Sequence, residues 1–323
     1  LAEIAAQNHH IFKELQYLSN IDYKPIRYIS FAHDEETYKA LEASKAWSKA
    51  EMIAPKQFRE EISPYFNANP KKYISALVSE DCWQATPGKV VDLVRNLGIA
   101  AGGTVMEDCR VLEACREGKY TSVLVQTHDK KYVEYRTEHF VNALGSGAGK
   151  LCDSMGIDAG LYPVRHQAFI TRRLPMLGKH GTNLDMLIAR QDYKGFSAVY
   201  GQQIAYTGQI IGCASPKLDA MRIDKNLKVN TKAFLEIVSE MFSEWIPDLA
   251  GVGIQAVWAG YYTEPRYIVD PELGLFVGMR GHGFMLSQYI ARMYVDKLLG
   301  RPVPEYFEKL KLNGPGLSEK AFK

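Results

Sequence analysis

The chain has 323 residues, 46% of them hydrophobic and 24% charged, which excludes collagen-like, mainly disordered and small disulfide-stapled proteins. Lys and Arg (39) nearly balance Asp and Glu (37), so the net charge of +2 does not favour binding to nucleic acid. No apolar run approaches the ~18 residues of a membrane span, and the five cysteines show no paired spacing. We therefore expect a cytoplasmic protein with no nucleic-acid partner and no membrane span.

The first eighty residues are predicted to mix helices with short strands. Apolar residues near a 3.6-residue period predict a helix over 1–18. The charged stretch 34–49 predicts a solvent-exposed helix, and residues 73–78 predict a strand.

A helix followed by a hairpin is predicted next. Thr86 is expected to cap this helix and Pro87 to begin it, with an apolar stripe at positions 90, 93, 94, 97 and 101. Gly102 and Gly103 end it. Strands are then predicted over 104–106, 111–114, 121–126 and 132–136, the last two joined by a polar turn at 128–131.

The middle of the chain is predicted to be rich in strands. A buried strand over 139–144 is expected to run into a glycine turn and a helix of roughly ten residues. Strand-like runs with few helical signals then follow, over 167–172, 185–191, 197–202 and 208–212. These runs predict an antiparallel sheet.

The last third returns to helices. An amphipathic helix is predicted over 231–246, followed by strands over 254–262 and 275–278. A final helix begins near residue 283, and its predicted inward residues are Leu286, Tyr289, Ile290, Met293, Tyr294 and Leu298. Because α/β units flank a β-rich segment, we expect two domains, at least one of them discontinuous.

Two glycine turns are candidate ligand sites. Gly145-x-Gly147-x-Gly149 departs from the dinucleotide fingerprint because Lys150 occupies the position of its last glycine, so a simple tight turn is the alternative interpretation. The second turn, Gly281-His282-Gly283, precedes a long helix whose free N–H groups would attract negative charge. His282 is there either a donor or a turn residue.

Two other kinds of site find no support in the sequence. The histidines lack metal-ligand spacing, so no metal is predicted. No G-x-S-x-G nucleophile elbow is present, so hydrolase chemistry has no anchor.

Several segments together resemble the D-amino-acid-oxidase-type FAD-dependent oxidoreductases, most closely their sarcosine-oxidase and dimethylglycine-dehydrogenase branch. They are residues 82–87 (CWQATP), 141–145 (VNALG), 162–171 (YPVRHQAFIT), 258–263 (WAGYYT), 270–271 (DP) and 274–286 (GLFVGMRGHGFML). Their order and spacing match the family from end to end.

The resemblance implies a Rossmann-like FAD-binding domain, α/β in class, interleaved with an antiparallel-sheet substrate domain (α+β). We expect the FAD-binding domain at 1–18, 84–162 and 266–323, and the substrate domain at 19–83 and 163–265. The family begins with a βαβ unit carrying G-x-G-x-x-G, which this sequence lacks. We expect an N-terminal portion to be missing. A separate N-terminal chain, or loss of that unit, stays open.

The resemblance also implies the chemistry and its residues. FAD would be bound non-covalently, because Gly260 stands where the related enzymes have the cysteine that attaches it. Met285 replaces the lysine that holds a substrate carboxylate there. The expected cofactor-binding residues are Ala143, Gly145, Gly147, Arg280, Gly281, His282, Gly283, Phe284 and Met285. The expected catalytic residues are Tyr262, His282, Arg190 and Arg266.

The two arginines are candidates for the carboxylate clamp, with surface solvation as the alternative. Tyr262 could equally be a half-buried packing residue.

The expected reaction moves a hydride from the C–H beside the nitrogen of an amino acid or secondary amine to flavin N5. One alternative is an FAD-dependent 2-hydroxy-acid dehydrogenase. The other is a non-catalytic flavoprotein-like subunit that binds a partner. The expected partner is a small-molecule amine, amino acid or hydroxy acid. An electron-transfer protein and an oligomer stay open.

Overall fold

The computed structural model describes residues 1–19, 21–47, 49–64, 66–67, 72–174, 177, 184–189, 196–204, 207–216 and 231–317. The chain divides into two compact units. Unit 1 consists of Leu1–Tyr23, Ala85–Pro163 and Tyr262–Lys323, and unit 2 of Lys24–Gln84 and Val164–Tyr261.

Helices are interspersed among the strands along the chain. The helices are α1 (Ala2–Leu18), α2 (Glu35–Ser44), α3 (Phe58–Glu61), α4 (Pro87–Ala100), α5 (Ala148–Ser154), α6 (Thr231–Trp245) and α7 (Gly283–Leu298). The strands are β1 (Lys24–Ala32), β2 (Ala50–Ile53), β3 (Ser75–Gln84), β4 (Arg110–Glu117), β5 (Tyr120–Gln126), β6 (Tyr132–Thr137), β7 (Tyr162–Thr171), β8 (Met186–Ala189), β9 (Phe196–Ile204), β10 (Gln209–Pro216), β11 (Ile254–Glu264), β12 (Ile268–Asp270) and β13 (Leu275–Val277).

An eight-stranded sheet with the order β11-β7-β10-β9-β8-β1-β3-β2 dominates unit 2. Strand β10 pairs antiparallel with both β7 and β9, as the sequence predicts. Strand β1 pairs parallel with β8, placing Tyr28 opposite Met186. The α/β fold class is thus confirmed, with a mixed rather than purely antiparallel large sheet. Hydrophobic alternation marks strands but does not give their direction, which explains the difference.

The core of unit 2 is built on the amphipathic helix α6. Its predicted apolar face is confirmed, with buried Phe234, Val238, Met241, Phe242 and Trp245. Each buried side chain of this size contributes on the order of 2 kcal/mol. The Trp245 indole Nε1 donates to the Tyr73 hydroxyl over 2.9 Å, which satisfies both polar groups inside the core.

Unit 1 contains two smaller antiparallel sheets and a packed helix pair. The sheets are β4-β5-β6 and β12-β13. Helices α1 and α7 pack through a cluster that includes Ile4, Leu286 and Ile290. Buried Asn8 of α1 donates to Gln288 Oε1 (3.0 Å) and accepts from the Tyr289 amide (2.8 Å), which fixes the register of the two helices. Within the described ranges, no helix has the length and hydropathy of a bilayer-spanning segment.

Two predicted strands of unit 1 are wrong. Residues 104–106 form no strand, and Val105 and Met106 are exposed. Over 139–144 only Asn142 pairs, in a single parallel bridge with Leu275. Val141 and Leu144 are exposed rather than buried. The short apolar runs resemble strands, but they meet no continuous partner there.

Four helix predictions in unit 1 also need correction. Only Val90 of the α4 stripe is buried, whereas Leu93 is half-buried and Val94, Leu97 and Ala101 are exposed. Thr86 does stand at the N-cap, but its hydroxyl donates to Asp22 Oδ2 (2.6 Å) instead of capping the helix. Leu298, predicted to point inward, is exposed at the end of α7, and α5 has seven residues rather than ten.

Candidate functional site

The two predicted glycine turns follow segments of unit 1 that lie side by side. The Asn142 amide donates to the Gly274 carbonyl (2.8 Å), and the Phe276 amide donates to the Asn142 carbonyl (3.0 Å). These bonds make the segments around Asn142 and Leu275 parallel neighbours. The turn at Gly145–Gly147 and the turn after β13 therefore continue in the same direction. The carboxyl ends of parallel segments are where open α/β folds bind ligands.

Asn142 is the anchor of the first turn. Its fully buried amide donates to the Ala148 carbonyl (3.0 Å) and to Cys152 Sγ (3.4 Å), and its Oδ1 accepts from the Leu144 amide (3.2 Å). The predicted cofactor-binding residues of this turn, Ala143, Gly145 and Gly147, are exposed. Asn142 therefore holds the turn from beneath and leaves its outer backbone accessible.

Glycines give the second turn its close packing. Gly278 has a φ of +72°, and a Cβ there would overlap the Arg266 carbonyl. A Cβ on Gly281 would lie 2.7 Å from Tyr262 Cε2, closer than carbon atoms can pack. The Tyr262 ring therefore rests directly on the peptide backbone of the turn.

Three side chains of the segment 262–267, here called the clasp, hold consecutive residues of the second turn. Tyr262 contacts Gly281. Glu264 accepts from Arg280 Nε over 2.5 Å. The Tyr267 hydroxyl lies 2.5 Å from His282 Nδ1. The clasp brings the predicted residues Tyr262, Arg280, Gly281 and His282 together in one place.

The start of α7 has no side-chain cap. No side chain caps this 16-residue helix at His282, so the N–H groups of its first turn lack a capping side-chain acceptor. These groups carry the positive end of the helix dipole. Gly283 begins the helix without a side chain that would cover them.

Apolar side chains flank that helix start. Phe284 and Met285, both predicted cofactor-binding residues, are 36% and 38% exposed. The Phe284 ring meets Phe12 edge to face at 5.3 Å, and Phe12 packs on Tyr23. Burial raises the pKa of Tyr23, whose hydroxyl lies 2.6 Å from His9 Nδ1. An aromatic cluster therefore supports the first turn of α7 from one side.

The two predicted clamp arginines have different outcomes. Arg266 Nη1 donates to the Gly314 carbonyl (3.3 Å) and Nη2 to the Leu312 carbonyl (2.5 Å), so its guanidinium ties down the C-terminal segment. Arg190 lies outside the described residues.

Glu264, Tyr267 and Asn142 were not among the residues predicted for the site. Each forms a contact with a side chain that is distant in the sequence or lies on another element, and residue spacing does not predict such a contact. The one available signal was their position, since Asn142 stands next to the predicted turn residues and the clasp directly precedes β12.

Comparison with protein-family models gives one match. The family described as "DAO: FAD dependent oxidoreductase" covers residues 1–297. A comparison with curated protein sequences found no match.

Solved structures share the fold. An L-proline dehydrogenase from P. horikoshii is 22% identical with a TM-score of 0.75, the match covering 96% of this chain and 81% of that one. A glycine oxidase from Geobacillus kaustophilus is 16% identical with a TM-score of 0.77, over the same two shares. An L-α-glycerophosphate oxidase from Mycoplasma pneumoniae, with FAD bound, is 15% identical with a TM-score of 0.71, covering 91% of this chain and 79% of that one.

Proposed function

This chain belongs to the FAD-dependent oxidoreductase family, and we propose that it oxidises an amino acid or a secondary amine at the C–H beside the nitrogen. The proposal is carried by two glycine turns that follow neighbouring parallel segments, the second of which contains Arg280 and His282 and is held by Tyr262 and the other clasp side chains. The structural neighbours named as proline dehydrogenase and glycine oxidase support an amino-acid substrate.

The residues at the turns fit FAD. The backbone at Gly145 and Gly147 is exposed and carries no side chain that would obstruct a flat ligand. Phe284 and Met285 offer exposed apolar contacts beside the uncapped N–H groups of α7. A cofactor that combines an aromatic ring system with negative charge matches this surface. When bound, FAD supplies the hydride acceptor, its N5 atom.

The chain's own residues would orient the substrate and polarise the flavin. We assign the α7 N–H groups and His282 to hydrogen bonds with the most negative edge of the flavin ring. When Tyr267 donates to Nδ1, the imidazole proton lies on Nε2, which makes His282 a donor at that atom. Tyr262 would place its ring and hydroxyl on the substrate side. Arg190 stays the predicted carboxylate clamp, whereas we assign Arg266 a structural role because both its Nη atoms donate to backbone carbonyls.

We further assign FAD binding to unit 1 and substrate binding to unit 2. The two turns and the clasp lie within unit 1. The flavin would be held non-covalently, because Gly260 carries no thiol. Acid precipitation should then leave the flavin in the supernatant.

A second candidate is an FAD-dependent 2-hydroxy-acid dehydrogenase. The neighbour named as an L-α-glycerophosphate oxidase favours it, because glycerophosphate has no nitrogen to oxidise. The two activities need the same flavin-binding turns and differ in the group that replaces the amine. A non-catalytic, partner-binding subunit is the remaining alternative.

Dye reduction with a substrate panel distinguishes these functions. The FAD-loaded protein would be mixed with proline, glycine, sarcosine, dimethylglycine, lactate, 2-hydroxyglutarate and glycerophosphate. We expect reduction with one or more of the nitrogen compounds. Reduction by hydroxy compounds alone would establish the second candidate. A flavin-loaded protein inert to the whole panel under both oxygen and dye would favour the non-catalytic alternative.

A further inference from the structure

The second glycine turn contains a residue held in an unfavourable conformation. Arg280 has a φ of +49°, in the left-handed region that side chains with a Cβ rarely adopt. Such a conformation persists only where the surroundings impose it, and it concentrates at functional sites. The question is therefore which contact imposes it here.

The ion pair with Glu264 is the contact that can do so. The side chains of Arg280 and Glu264 are only 17% and 9% exposed, so their attraction is weakly screened by water. The bond joins Arg280 Nε to Glu264 Oε2, and it fixes the arginine close to its own backbone rather than at the far end of the guanidinium. Tyr262 precedes Glu264 in the clasp and contacts Gly281, and Tyr267 follows Glu264 and contacts His282. Of the three clasp side chains that contact the turn, Glu264 is thus the one that bears charge.

We propose that Glu264 is a positioning residue, whose ion pair with Arg280 holds the turn Arg280–His282 in the conformation that presents the start of α7 to FAD. The inference rests on the assignment of this turn to FAD under the proposed function. It requires no contact between Glu264 and the cofactor. Its consequence is that the need for Glu264 disappears when residue 280 adopts a positive φ without strain.

Glycine at position 280 supplies that condition, since it adopts positive φ without steric cost. FAD dissociation constants would be measured by quenching of flavin fluorescence on titration of flavin-free protein. We expect Glu264→Gln to raise the dissociation constant at least tenfold. In a background of Arg280→Gly, the same Glu264→Gln change should alter it less than threefold.

A second comparison covers the case in which Glu264→Gln leaves an unpaired buried charge and fails to fold. The double variants Glu264→Gln/Arg280→Gly and Glu264→Gln/Arg280→Ala both lack the ion pair, and neither leaves a buried charge. They differ only in their tolerance of the left-handed conformation. We expect the alanine double variant to bind FAD at least fivefold more weakly than the glycine one.

Glu107→Gln is the matched control, because Glu107 pairs with Arg95 over 2.7 Å on the exposed surface of the same unit. Its FAD dissociation constant should stay within twofold of wild type. Equal FAD affinity of the two double variants would overturn the inference, as would a Glu264→Gln variant that melts earlier yet binds FAD like wild type. If wild type itself binds no FAD, the proposed function fails together with the inference. If wild type binds and the variants do not differ, the inference alone fails.

Discussion

Substituting Gly281 by alanine tests the packing at the centre of the candidate site. The new Cβ would lie 2.7 Å from Tyr262 Cε2 and 3.3 Å from its Cζ, so the ring or the turn has to move. Overpacking of this kind costs about 1–3 kcal/mol. This cost lowers either the free energy of unfolding or the affinity for FAD. If the turn cannot relax, the free energy of unfolding falls. If it relaxes in the free protein, the affinity for FAD falls instead.

The sum of the two losses is the quantity that the structure predicts. Urea unfolding of the flavin-free protein measures the first, and fluorescence titration with FAD measures the second. Together they should amount to about 1–3 kcal/mol, which is about a 5- to 150-fold weaker FAD affinity if the whole cost falls on binding.

Two further variants sharpen this experiment. Gly98→Ala is the control, because a Cβ at that position of α4 meets no atom within 4 Å, and a helical alanine adds up to about 1 kcal/mol of stability. Truncating the ring in Tyr262→Ala/Gly281→Ala should recover part of the loss, since residues in contact couple energetically. A combined loss below about 0.5 kcal/mol for Gly281→Ala, or no coupling to Tyr262, would refute the reasoning.

Three other predictions follow from individual residues. Gly278→Ala should lower the free energy of unfolding by about 3 kcal/mol or more, because it adds a Cβ at positive φ that overlaps the Arg266 carbonyl. The control Gly102→Ala, at a φ of +92° with open space around it, should lower it by only about 1–2 kcal/mol. Equal losses in the two variants would contradict the close packing of Gly278 against Arg266. Tyr267→Phe should weaken FAD binding about 2- to 12-fold by removing the hydroxyl beside His282 Nδ1, whereas an unchanged affinity would show that this bond does not orient the imidazole. Burial lowers the pKa of His166 from 6.5 to about 4, so the unfolded chain binds an extra proton between those values and stability is lost as the pH falls through that window, by up to about 3 kcal/mol. His166→Gln should flatten this part of the urea-stability profile. A profile that keeps its slope in His166→Gln would assign the loss to other groups.

The sequence predicts those parts of the fold that local patterns determine. The apolar periods of α1, α6 and α7 are long enough to mark helices, and the α6 face buries the residues expected of it. Gly145 lies in a predicted turn and has a positive φ, which glycine adopts without steric cost. Hairpin β5–β6 follows from two alternating runs around a polar turn.

Parts of the site depend on partners that local patterns do not reveal. Residues 139–144 have the composition of a strand, yet only Asn142 finds a partner, at Leu275. The contacts of Arg266 with the Leu312 and Gly314 carbonyls join segments that are distant in the sequence. The sequence does not reveal that Glu264 pairs with Arg280, or that the backbone of Arg280 is left-handed.

The most direct test of the account is the absorption spectrum of the purified protein after incubation with FAD and removal of the excess. The two glycine turns, one before α5 and one before α7, predict a retained flavin, with bands at about 370 and 450 nm and a stoichiometry near one per chain. A colourless protein after this treatment would contradict the assignment of these turns to FAD.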